Sequence, residues 1–151
     1  LGSILEEQGL PHVALDSDAD LVAGFRTRGA GIFYGDANRP EILRKFGIEQ
    51  ATALVITMDN ADATERVVTT VRESGYGLPI YARARDVEHA KRLIGKGANH
   101  VIPETIEVSL QLSEMVLMGA GIPDQAARHL IETRRQFEQI AVDESKRRGG
   151  K

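Results

Sequence analysis

No cysteine occurs anywhere in the 151 residues, which excludes a disulfide framework, a thiol nucleophile and a thiolate metal site. That absence fits a reducing compartment. No apolar run approaches the roughly 20 residues needed to cross a bilayer, and the N-terminus lacks the basic and apolar regions of a signal peptide. The chain therefore reads as soluble and cytosolic. Surplus positive charge is missing as well: the formal net charge is -3, which argues against general nucleic-acid binding, because neutralising phosphates takes an excess of Lys and Arg on one face. His12, His89, His100 and His129 show no ligand spacing such as HxxxH, and a lone His is far more often structural or solvated. The serines have no GxSxG context, so a hydrolase triad has no support. The acid clusters Glu6-Glu7 and Asp16, Asp18, Asp20 lack a paired general acid and base, and helix capping explains them more cheaply.

What is present is alternation. With 42% hydrophobic residues the chain can form one globular domain with a real core and is too short to expect two. Ile4 to Gln8 reads as the end of a helix stopped by Gly9, with Pro11 beyond it. His12 to Asp16 is a short buried strand ending in an acid, and Asp18 can cap a helix whose apolar positions Leu21, Val22 and Phe25 precede Gly29. Ile32-Phe33-Tyr34 is the next strand, Gly35-Asp36-Ala37 a tight turn, and Pro40 to Phe46 a helix opened by proline and closed by Gly47. Ala53 to Thr57 is a continuous apolar strand, followed by a helix from Asn60 to Ser74. Ile80-Tyr81-Ala82 is a further strand; Asp86 can cap a helix over Val87 to Lys96, and His100-Val101-Ile102 is the last strand before Pro103. Such a pattern predicts a Rossmann-like, doubly wound parallel sheet covered by helical crossovers.

The alternation stops after Pro103. Thr105 to Met118 reads as an amphipathic helix with Ile106, Leu110, Met115 and Leu117 among its apolar positions, and Gly119 to Pro123 as a flexible break. Asp124 caps a long charged helix reaching towards Arg148, with a thin apolar stripe of Ala127, Leu130, Ile131, Phe137, Ile140 and Val142, and a tail over Arg147 to Lys151. A stripe that narrow suits packing against a partner. The expected organisation is a Rossmann-like domain over residues 1-122 and a C-terminal helix and tail over 123-151.

In such a sheet, ligands bind outside the carboxyl ends of the strands. Here those positions hold Asp16 with Ser17, Asp36 with Ala37, Thr57 with Met58 and Asp59, and Arg83 with Arg85. An acid at the position of Asp16 can accept hydrogen bonds from both ribose hydroxyls of an adenine nucleotide, or simply form a turn. Asp36 lies at the neighbouring strand end, where Gly35 lets the backbone approach a flat ring. Thr57, Met58 and Asp59 can face ribose or phosphates; alternatively Asp59 or Asn60 is a helix cap. Arg83 and Arg85, two apart on a strand, share a face and suit phosphate or carboxylate recognition, or pairing with Asp86 or Glu88. A dinucleotide site also needs a GxGxxG loop between its first strand and first helix. The sequence opens at Leu1-Gly2-Ser3, which reads as the inside of that helix, so the expectation is a chain missing its N-terminal central strand and glycine loop.

The run Val13 to Asp18, then Phe33-Tyr34-Gly35-Asp36-Ala37, then Ala82-Arg83-Ala84-Arg85-Asp86 resembles the nucleotide-binding regulatory domain of Kef-type potassium efflux antiporters, the RCK, KTN or TrkA-N module. The resemblance covers residues 1 to about 122 and, more loosely, the terminal helix. It implies a homodimeric, non-enzymatic regulatory domain on the cytoplasmic face of the inner membrane, linked within one polypeptide to a membrane cation/proton antiporter domain. It further implies that NAD(H) or AMP binds the module and controls transport, with Asp16 and Asp36 at the family's ribose and adenine positions. Members gated by glutathione use basic residues where Ser3 and Pro103 stand here, so the resemblance does not extend to glutathione control. The alternatives are a fragment of an NAD-dependent oxidoreductase, whose half-sheet is shared with many enzymes, and a dimerisation scaffold with a vestigial pocket.

Overall fold

Three helix starts in this chain are set by short polar side chains that satisfy the first free amides of the helix. Asp18 Oδ1 accepts from the amides of Asp20 and Leu21, both at 3.0 Å, Asn60 Oδ1 from Ala63 at 2.9 Å, and Asp86 Oδ1 from His89 at 2.8 Å. The computed structural model describes residues 1-29 and 31-148, with side chains described as far as Gln139. Its elements are α1 (Gly2–Glu7), β1 (Ala14–Asp16), α2 (Ala19–Arg26), β2 (Ile32–Tyr34), α3 (Pro40–Lys45), β3 (Leu54–Ile56), α4 (Ala61–Glu73), β4 (Ile80–Ala84), α5 (Val87–Gly95), β5 (His100–Pro103), α6 (Glu104–Gly119) and α7 (Asp124–Arg148). A 3-10 turn over Ile48–Gln50, which the periodicity does not predict, follows α3. All strand pairs are parallel, and the helices between them give the Rossmann-like α/β architecture. The chain forms two compact units, one ending at Ala51 and the other beginning at Thr52.

In the first unit β1 and β2 pair in the register Ala14 with Ile32, Leu15 with Phe33 and Asp16 with Tyr34. Its core is small, with Val22, Leu43 and Ile48 buried and Phe33 packed on Phe46 at 5.2 Å between ring centroids.

The second unit holds a three-stranded sheet of order β3-β4-β5. One sheet face places Ile56, Ile80, Ala82, Ala84 and Val101 in a core completed by Val67, Val68 and Val71 of α4 and Ala90 and Leu93 of α5. Burying each of these larger aliphatic side chains contributes about 1.5–3 kcal/mol. The other face carries Val55, Tyr81 and Ile102, all more than 40% exposed, with Tyr81 stacked on His100 across the pair.

The charged C-terminal helix does not leave its whole apolar stripe for a partner. Ala127 and Ile131 of α7 are buried, α7 packs on α5 and α6, and Arg135 grips Glu107 of α6 through three contacts of 3.0–3.2 Å. Leu130 and Phe137 remain exposed. On α6 only Leu110 is fully buried, and Met115, expected on its apolar face, is 70% exposed. Side chains of the expected stripe at Ile140 and Val142, and the tail residues 149-151, lie outside the described residues. Among the described residues no helix is long and apolar enough to cross a membrane.

Candidate functional site

Parallel pairing puts the carboxyl ends of adjacent strands side by side, which is what brings the acids of the first unit together. Asp16 is the last residue of β1 and faces Tyr34 in the register, and Gly35, the next residue, donates its amide to the Asp16 carbonyl at 2.9 Å. Asp36 follows directly. The two aspartates thus end neighbouring parallel strands at the same edge. Each carboxylate also organises its own turn: Asp16 Oδ1 accepts from the Asp18 amide at 2.8 Å, and Asp36 Oδ1 accepts from the amide and side-chain nitrogen of Asn38, both at 2.9 Å. Ser17 is exposed and Ala37 half-buried beside them.

Gly35 has a packing reason beyond any approach to a ligand. It is buried, and a Cβ placed on it would sit 2.9 Å from Ile42 Cγ2, so α3 rests directly on the backbone at this strand end.

In the second unit the structure gathers three residues from the end of β3 and the end of β4. The Arg83 guanidinium donates to the Thr57 carbonyl at 2.8 Å and to Asp59 Oδ1. Glu104, at the start of α6, places a carboxylate oxygen 3.9 Å from the same guanidinium. Asn60, not Asp59, caps α4, which leaves the Asp59 carboxylate to meet Arg83. Met58 is half-buried in the same turn. A guanidinium held between carboxylates at a strand end is chemically an anion receptor already supplied with internal anions. Arg85 behaves differently: its Nε donates to Asp86 Oδ2 at 3.0 Å, the local pairing that its neighbour in sequence offers.

Two features of this second unit escape the strand-end reasoning. Asp86 and His89 brace the same turn, because the Asp86 carboxylate takes the His89 amide while His89 Nδ1 accepts from the amide of Arg85, the residue before Asp86, at 3.1 Å. The spacing of three residues between them is that of a capping box, the one signal in the sequence. The His89 amide and the Arg85 side chain together hold the Asp86 carboxyl below its ordinary range. Burial pushes the imidazole of His89 down, against the opposing pull of Glu65. Glu65 itself is held by Arg92 at 2.8 Å and Lys96 at 3.8 Å. Among the described residues no cluster of three or more His, Asp or Glu side chains could hold a metal ion.

The family model for the TrkA-N domain matches residues 1–104. Among curated proteins, the K(+) efflux antiporter 2 of the Arabidopsis thaliana chloroplast is 37% identical over 123 residues, covering 82% of this chain and 10% of that protein. The glutathione-regulated potassium-efflux system protein KefC of Cronobacter sakazakii is 34% identical over 143 residues, covering 95% of this chain and 23% of that protein. The chain thus spans between a tenth and a quarter of the length of these two relatives. A solved structure, the Kef C-terminal domain of Shewanella denitrificans in its AMP-bound form, superposes with a TM-score of 0.77 at 27% identity, covering 95% of this chain and 87% of that one.

Proposed function

The chain belongs to the TrkA-N domain family, and on that premise we propose that it is the nucleotide-sensing regulatory domain of a potassium efflux system that exchanges cations for protons. The observation that carries the reading is the placement of Asp16 and Asp36 at one edge of a parallel strand pair. The Asp16 carboxylate there suits the two ribose hydroxyls of an adenine nucleotide, and Asp36 with Ala37 borders the adenine. Ser17 contributes a hydroxyl next to the ribose acid. AMP or NAD(H) is the ligand, a reading supported by a Kef C-terminal domain that was solved with AMP.

Thr57, Met58, Asp59 and Arg83 form an anion-recognising corner in the second unit. An anionic group bound there competes with Asp59 for the guanidinium, exchanging one anion for another. The module works as a homodimer on the cytoplasmic face of the membrane, attached to the antiporter domain of the same polypeptide. Nucleotide controls transport by favouring one arrangement of the two modules, to the extent that it binds that arrangement more tightly. The domain performs no chemistry of its own.

Calorimetric titration of the intact protein with AMP and with NADH tests this directly. Replacing Asp16 with Ala should weaken both by about 1–3 kcal/mol, the cost of leaving ribose hydroxyls unpaired. Unchanged affinity in Asp16→Ala, or equal binding of a ligand lacking ribose, would remove the ribose role from this acid.

A further inference from the structure

The corner between β4 and α5 is built around a histidine that has no room for a second proton. His89 is 1% exposed. Its Nδ1 accepts the Arg85 amide at 3.1 Å, so that nitrogen carries no hydrogen and the neutral ring keeps its proton on Nε2. Nε2 is buried with no acceptor at ordinary hydrogen-bond distance; the backbone of Ala61 faces the ring from α4, and Glu65 Oε1 lies 3.9 Å away. We propose that His89 makes this corner a proton-responsive switch: protonation of Nδ1 sets two donors against each other, expels the Arg85 amide and opens the turn that joins the Arg83 strand end to α5.

The surrounding charges favour an abrupt response over a tolerated imidazolium. From α4, Glu65 would stabilise the cation, but Arg92 of α5 and Lys96 just after it already occupy its oxygens at 2.8 and 3.8 Å. Asp86, at the start of α5, is engaged with the His89 amide and with Arg85. Among the described residues no ion pair or hydrogen bond links His89 to β5 or α7, the other elements near α5. An imidazolium with one lost acceptor and a shared counter-ion costs more inside the fold than in an opened corner, so acid shifts the equilibrium towards opening. Because Arg85 follows β4 directly and stands two residues after Arg83, opening this turn frees the end of the strand that carries Arg83. The inference rests on the geometry around His89 and holds whether or not a nucleotide is the ligand.

Nitrogen-resolved NMR of the His89 ring between pH 8 and pH 5, alongside exchange protection of the Arg85 amide, is the test. The expected result is an Nε2–H tautomer at pH 8, a ring that titrates below the ordinary histidine value of about 6.5, and protection at Arg85 that falls about tenfold or more across that titration. His89→Asn supplies an amide oxygen that can hold the same backbone donor and does not titrate, so protection should stay level with pH. An Nδ1–H tautomer at pH 8, steady protection through the titration, or the same acid-induced loss in His89→Asn would each overturn the proposal. Should that variant fail to fold, the tautomer and the wild-type protection profile decide alone.

Discussion

Arg72 binds the carbonyl of Gly97 twice, through Nε at 3.0 Å and Nη2 at 2.9 Å, across 25 residues of chain. The same guanidinium donates to the carbonyls of Tyr76 and Leu78 at 2.7 and 2.9 Å and to Asn99 Oδ1 at 2.8 Å, and Asn99 Oδ1 in turn takes the amide of Ile80 at the start of β4. One side chain at the end of α4 therefore fastens the turns that lead into β4 and β5. Gly97 fits only as glycine, since its φ is +106° and a Cβ would lie 3.0 Å from Arg72 Cγ. Replacing Arg72 with Ala strands several acceptors at once and should destabilise the second unit by about 3 kcal/mol. Urea unfolding followed by circular dichroism measures it. Arg72→Lys should recover only part of the loss, because a point charge cannot span the fork of acceptors.

A second prediction concerns the strand end beside the aspartates. Gly35→Ala drives a methyl to 2.9 Å from Ile42 Cγ2, and overpacking of this kind costs about 1–3 kcal/mol. Combining it with Ile42→Ala should cost clearly less than the sum of the two single changes, because the second removes the atom with which the first collides. Additive losses in chemical denaturation would show that Gly35 is needed for some reason other than the seat of α3.

The capping carboxylate of α5 predicts an acid limit. The Asp86 carboxyl is held below the ordinary aspartate range, first by the His89 amide and then by Arg85. The unfolded chain therefore binds this proton more readily than the folded one, and the contribution is fully present above the unfolded value. It is lost as pH falls through the lower folded value. Urea midpoints between pH 6 and pH 3 should decline less steeply in Asp86→Asn, which keeps an acceptor for the His89 amide without the titration. A variant that follows the wild-type slope would assign that acid loss to other carboxylates.

Local chemistry was what the sequence displayed most legibly. Asp18 and Asp86 cap the helices assigned to them, because a cap joins residues two or three apart and leaves its mark in the residue types. Strand and helix alternation placed Asp16, Asp36, Thr57 and Arg83 at strand ends for the same reason. The choice between Asp59 and Asn60 as the cap of α4 was not legible, since both residue types suit the position; it is decided by Arg83, which lies 24 residues beyond Asp59 and claims that carboxylate. The Arg72 hub was hidden likewise, its main partners being 25 and 27 residues away. The thin stripe of α7 pointed to a partner, yet Ala127 and Ile131 are buried among the chain's own helices, because periodicity reveals an apolar face but not what covers it.

The reading of this chain as a nucleotide sensor is tested most directly by mapping backbone amide shifts while AMP is titrated into the intact protein. The account predicts saturable shifts at Asp16, Ser17, Gly35, Asp36 and Ala37, the residues that end β1 and β2, which are lost together in Asp16→Ala. Shifts confined to α6 and α7, or none at concentrations where the wild-type protein binds AMP calorimetrically, would contradict it.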